Sequence, residues 1–202
     1  MKITTIVFSL FITFSINAMA QDAMENAYDK SYSLEKSGNY VAAINTIKAI
    51  YSPADYEGNL RLGYLNYEAG QYAEAMNYYS RAIVLKPNAV EPRLGYVYPA
   101  SMLGRWDDVV KQYLEILKLD PKNSAVNYKM GLINYNRKNY INAAKFFGAV
   151  ISLYPFDYDG MLMMAWTNLQ LGKTKEARAG FNKVLLLSPR DKSALEGLSL
   201  IK

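Results

Sequence analysis

SAVNYKMGLINYNRKNYINAAKFFGAVISLYP, residues 124–155, decides how this chain folds. Two segments with apolar periodicity flank the polar turn Asn136-Arg137-Lys138-Asn139, and Pro155 closes the stretch. In the second segment Ala143, Phe147 and Val150 follow one another at steps of four and three, which sets them on one face of a helix. A small residue there lets a paired helix come close, and a bulky one fills the space beyond it. The stretch reads as a helical hairpin.

The same punctuation recurs on both sides. Turn residues Gly38, Gly70, Gly104, Lys138 and Gly172 are separated by 32, 34, 34 and 34 residues, and Pro53, Pro87, Pro121, Pro155 and Pro189 close successive units. The small position is Ala43, Ala75, Val109, Ala143 and Ala177; the bulky one is Ile47, Tyr79, Tyr113, Phe147 and Phe181. Ile50, Ala82, Ile116, Val150 and Val184 complete the face. A constant period of this size marks supersecondary units that stack, each burying its apolar face on the next.

First helices with Leu62-Gly63 or Met130-Gly131, and second helices with the Ala-x-x-x-aromatic step and a closing proline, resemble the tetratricopeptide repeat. Asn59 to Pro87, Asn127 to Pro155 and Met161 to Pro189 carry the likeness best. The resemblance implies an all-α, right-handed superhelix of stacked helix-turn-helix repeats, about five plus a C-terminal capping helix. The units are expected at 24–55, 56–89, 90–123, 124–157 and 158–191, with the cap at 192–202 presenting Leu195, Leu198 and Ile201 to the fifth unit. The leading tryptophan of the pattern is missing throughout, and Asn66, Asn134 and Asn168 replace its first-helix tyrosine. Pro99 lies inside a first helix, where a missing amide and a ring against the carbonyl of Gly95 cost ~3 kcal/mol. A kink or break is expected between Gly95 and Ser101.

Residues 1–20, MKITTIVFSLFITFSINAMA, combine Lys2, an apolar run from Ile3 to Ile16 and the small-x-small site Ala18-Met19-Ala20. This is the pattern of a secretory signal peptide cleaved after Ala20. The run is too short to span a bilayer, which takes about 20 apolar residues. The chain is expected to be exported, to a bacterial periplasm, as residues 21–202 without an integral membrane span.

Composition narrows the chemistry. There is no cysteine and no histidine in 202 residues, which removes disulfides, thiolate chemistry, the usual general base and the commonest metal ligand. Neither a metal nor a cofactor is implied, and the chain is not expected to be an enzyme. The net charge is +5, but the basic residues are scattered rather than gathered into the stripe that nucleic acid requires.

In the tetratricopeptide family first helices line the concave surface, which commonly grips peptides. That resemblance places Tyr28, Tyr32, Arg61, Tyr64, Tyr67, Tyr98, Tyr128, Lys129, Tyr135 and Trp166 in a partner-binding groove, with Arg61 and Lys129 offering charge to an acidic group. Tyrosine gives a large contact area with a polar tip and little rotamer entropy to lose. The first helix of 124–157 is the expected centre of binding. The Lys/Asn set with which relatives hold chaperone C-termini is absent: Tyr28, Tyr32, Arg61, Glu91 and Gly95 stand at its places. The expected function is an exported protein–protein interaction scaffold serving envelope or secretion-complex assembly. Two alternatives stand beside it: a small-ligand or glycan module using Asn66, Asn134, Asn136 and Asn168 beside the rings, and a self-assembling unit, since the short cap leaves an apolar face for self-association.

Overall fold

The computed structural model describes residues 21–201; the expected leader and its cleavage site fall outside the described residues. Among the described residues eleven helices follow one another and no strand occurs: α1 (21–36), α2 (Tyr40–Lys48), α3 (Tyr56–Glu68), α4 (Tyr72–Leu85), α5 (Glu91–Met102), α6 (Trp106–Leu119), α7 (Ser124–Asn136), α8 (Tyr140–Leu153), α9 (Tyr158–Gln170), α10 (Thr174–Leu187) and α11 (Lys192–Ser199). They divide into two compact units after Gln112.

Hairpins form where the punctuation placed them. Gly38, Gly70, Gly104 and Gly172 hold φ between 67° and 76°, the left-handed turn that ends a first helix; in the fourth turn Lys138 holds it at 59° without being glycine. In the N-terminal unit α3 packs on α4 and α4 on α5; in the C-terminal unit α7 packs on α8, α8 on α9, α9 on α10 and α10 on α11. The small positions Ala43, Ala75, Ala143 and Ala177 are fully buried and Val109 nearly so, while Phe147 and Phe181 are wholly enclosed. Burying each of these rings contributes ~1.5–3 kcal/mol.

The ring and the first-helix glycine are made for each other. A Cβ on Gly63 would lie 2.9 Å, and one on Gly95 2.2 Å, from the Tyr79 ring, so this side chain of α4 fills the space against both α3 and α5. Phe147 meets Gly131 in the same way at 2.5 Å, and Phe181 meets Gly197 at 2.2 Å.

Where the repeat pattern calls for its leading aromatic, polar side chains tie the second, third and fourth units to the preceding turn, while the fifth carries Met161 there. Asn59 donates to the Pro53 and Asp55 carbonyls, Asn127 to those of Pro121 and Asn123, and Arg93 to that of Pro87. These bonds fix the entry of α3, α7 and α5 without an indole.

Three expectations need correction. α5 runs unbroken from Glu91 to Met102 with Pro99 inside it, so no break separates Gly95 from Ser101. Tyr96, Val97, Pro99 and Ala100 are all buried, and their packing outweighs one lost amide bond. α2 stops at Lys48, leaving Ile50 half-buried beyond it, because the first unit has two residues fewer between turn glycine and proline than the others. In α11 the buried face is Ala194, Gly197 and Ile201 with Leu198 beside them, whereas Leu195 is 47% exposed. The cap stands as a helix against Phe181, rotated from the expected stripe.

Candidate functional site

The first helices of the N-terminal unit build a concavity of about 490 Å³ lined by Tyr28, Tyr32 and Glu35 from α1, Glu57, Leu60, Arg61 and Tyr64 from α3, and Glu91 from α5. Its floor is Arg61. This guanidinium is only 7% exposed, donates twice to Ser31 Oγ at 3.2 and 2.9 Å, and pairs with the Glu35 carboxylate. The Tyr32 ring covers its face at 3.9 Å, and the Tyr64 ring stands at 5.9 Å. Arg61 thus joins α3 to α1. It lines the hollow, and its charge is paired within the molecule with Glu35.

The environment of the concavity is electronegative. The Tyr28 hydroxyl is buried without a hydrogen-bond partner, and burial, followed by the Asp55 and Glu57 carboxylates, pushes its pKa up to about 12. Burial and a hydrogen bond to Glu35 push Tyr64 up to about 12 as well. On the rim, the Lys86 ammonium lies over the Tyr56 ring at 3.8 Å and 3.3 Å from Glu57 Oε1. Glu91 has no ion-pair partner among the described residues.

The remaining predicted residues separate into two groups. Tyr67 packs between Tyr72 and Tyr98, with centroids 5.9 and 5.8 Å away, and Tyr98 remains 59% exposed. In the C-terminal unit the rings lean on their own second helices: Tyr128 on Phe147, Tyr135 on Tyr140 and Trp166 on Phe181, at 5.8, 5.3 and 5.2 Å. Trp166 Nε1 also donates to Ser193 Oγ at 2.9 Å. Lys129 is exposed. Tyr28, Tyr32, Arg61 and Tyr64 are brought together in one hollow; Tyr128, Tyr135 and Trp166, each half-buried, rest on the rings of their second helices.

Glu57 and Glu91 complete the N-terminal hollow and were not among the predicted residues, although they stand one 34-residue period apart; Ser31, fully buried, holds Arg61 from behind it. The amides proposed for sugar contacts are largely committed elsewhere. Asn66 and Asn134 donate to the Leu62 and Met130 carbonyls one turn back, Asn168 is buried, and Asn136 alone is exposed. Among the described residues no cluster of three metal-ligating side chains occurs, and no helix is long and apolar enough to cross a membrane.

The tetratricopeptide-repeat family pattern matches residues 56–89 and again 159–190. A TPR repeat-containing thioredoxin of Arabidopsis thaliana is 31% identical over 83 residues, 41% of this chain; the chain spans 12% of that relative's length. Among solved structures, a tetratricopeptide repeat protein from Parabacteroides merdae superimposes with a TM-score of 0.75 at 22% identity, over 88% of this chain and 72% of its own. MamA superimposes with a TM-score of 0.71 at 18% identity, over 82% of this chain and 91% of its own. At these identities the structural likeness speaks for the fold alone. The two family matches, on the observed hairpin geometry, identify the chain as an all-α helical-repeat protein that carries tetratricopeptide repeats.

Proposed function

We propose that the chain is an exported, non-catalytic scaffold that holds a protein or peptide partner against the first-helix face of α1, α3 and α5, and serves assembly of an envelope or secretion complex. One observation carries the reading. Tyr32, Tyr64 and Tyr98 share one position in successive repeats, and their rings are 56%, 38% and 59% exposed, although α3 buries Leu62 and Leu65 and α5 buries Tyr96 and Val97. Rigid amphipathic rings left open at a constant interval match the surface that an extended peptide covers, each ring contributing contact area at low entropic cost. At the same position of the C-terminal unit stand Leu132 and Trp166, both half-buried, so binding is assigned to the N-terminal face.

Export rests on the leader pattern and assembly on the repeat. The test is capture from a periplasmic extract by the tagged mature chain and by a variant with Tyr32→Ala, Tyr64→Ala and Tyr98→Ala. Loss of specific partners with unchanged helical circular dichroism is expected. Undiminished capture by the triple variant would place binding on another face. Fractionation with N-terminal sequencing should find Gln21 leading the mature chain; a cytoplasmic protein retaining Met1 would refute the exported part.

A further inference from the structure

Resting on that reading, we infer that the hollow between α1, α3 and α5 selects a basic segment of the partner, seating a lysine or arginine side chain between the Tyr28 and Tyr64 rings and the Glu57 and Glu91 carboxylates. The lining has three carboxylates against one guanidinium. That guanidinium is engaged within the molecule, with three of its five donors on Ser31 and Glu35 and the Tyr32 ring over its face. With Arg61 neutralising Glu35, the charge presented to a ligand comes from Glu91, which lacks a cation, and from Glu57, whose partner Lys86 sits on an exposed rim. The chain as a whole is basic, at +5, so this local acidity runs against the overall charge.

The molecule already displays the chemistry required. At the edge of the hollow the Lys86 ammonium lies over the Tyr56 ring and against the Glu57 carboxylate at once, the ring–carboxylate seat that suits a cation. The interior of the hollow repeats these parts without an internal lysine: two rings, Glu91, and the buried Tyr28 hydroxyl that lacks a partner. The repeat geometry supports the arrangement. Tyr64 and Glu91 occupy the positions that Trp166 and Ser193 occupy in the C-terminal unit, where the two side chains are 2.9 Å apart. Glu57 holds the same position one repeat earlier. Each of the two carboxylates therefore belongs to the position that addresses the polar edge of a first-helix ring.

The experiment measures binding of three fluorescein-labelled ten-residue peptides to the mature full chain by anisotropy. The peptides share a Gly/Ser/Leu background and carry arginine, glutamine or glutamate at alternate positions. The arginine peptide is expected to bind at least tenfold more tightly than the glutamine peptide, and the glutamate peptide more weakly than either. The preference should shrink as salt rises from 0.05 to 0.5 M, and at least tenfold affinity for the arginine peptide should be lost in Glu57→Gln/Glu91→Gln. Equal binding of all three peptides, tighter binding of the glutamate peptide, or a double variant that binds arginine normally would overturn the proposal. A dimer of the chain that the double variant dissociates would seat a second copy in the hollow and overturn it as well. The two readings fail separately. If Tyr32→Ala/Tyr64→Ala/Tyr98→Ala abolishes partner capture but Glu57→Gln/Glu91→Gln does not, the scaffold stands and the basic specificity falls.

Discussion

Replacing Arg61 by methionine tests whether one buried guanidinium holds α1 in place. The substitution keeps much of the side-chain length but leaves Ser31 Oγ, fully buried, without two donors and Glu35 without its cation. Removing one member of a buried ion pair costs ~3–5 kcal/mol. Here the Glu35 side chain keeps 22% of its exposure, and water reaches the orphaned carboxylate, which lowers the expectation to ~2–3 kcal/mol. The loss should be local, because stability in a repeat array is a sum over neighbouring elements. Amide hydrogen exchange across residues 21–36 should therefore accelerate, by ~30-fold for 2 kcal/mol, while α9 and α10 keep their protection. Adding Glu35→Gln should restore more than half of the loss, since a neutral amide tolerates the site where a carboxylate does not. If Arg61→Met leaves exchange in α1 within threefold of the parent, α1 docks by apolar contact alone and Arg61 is not its anchor.

Three further outcomes follow from the same geometry. Gly95→Ala drives a methyl to 2.2 Å from the Tyr79 ring, so urea denaturation should show a loss of ~1–3 kcal/mol, much of it recovered in a Tyr79→Leu background that vacates the space. Lys138→Gly should raise stability by ~1 kcal/mol in the same assay, because Lys138 carries a left-handed φ that glycine adopts freely. Asp191 accepts hydrogen bonds from the Tyr158 hydroxyl and then from the Ala194 amide, which hold its carboxyl below the usual range. Its contribution is therefore present above the ordinary carboxylate value and lost as pH falls through the lowered one, so the amide protection of α11 should weaken in an acid titration followed by NMR at about pH 4 and below. Tyr158, raised to about 12, contributes below pH 10 and loses that contribution only as pH climbs through its folded value. Asp191→Asn should remove the acid transition of α11.

The architecture was legible because it is local and repeated. A step of four then three fixes Ala143, Phe147 and Val150 on one face whatever lies beyond, and five copies of that step leave little freedom for the fold. What escaped the sequence depends on partners far along the chain. Arg61 reads as a surface cation until α1 brings Ser31 and Glu35 to it from 30 and 26 residues away. Asn59 and Asn127 occupy the place of an aromatic, and only the turn geometry reveals that their amides reach the carbonyls of Pro53 and Pro121. Pro99 reads as a helix breaker on local grounds, and the burial of its neighbours overrides it. The face of α11 was misjudged for a related reason: Leu195, Leu198 and Ile201 satisfy a helical step, but the face is chosen by the Phe181 ring, which admits glycine at 197 and nothing larger.

The same distinction explains why a column of rings does different work along one chain. Tyr32, Tyr64, Tyr98, Leu132 and Trp166 hold one repeat position, yet the last is drawn into the structure while the first three face outward. At Trp166 the difference is supplied by α11: Ser193 offers an oxygen to the indole at 2.9 Å, and the ring closes edge-on over Phe181. Where Ser193 stands, the N-terminal unit carries Glu57 and Glu91, charged side chains that keep their hydration unless a cation relieves them. A serine at that position lets the molecule satisfy its own ring. A carboxylate there leaves the ring open: Lys86 answers Glu57 from the exposed rim, whereas Glu91 has no ion-pair partner among the described residues. Glu57→Ser and Glu91→Ser should accordingly reduce affinity for a basic peptide without unfolding α3 or α5, because neither carboxylate contributes to the buried core.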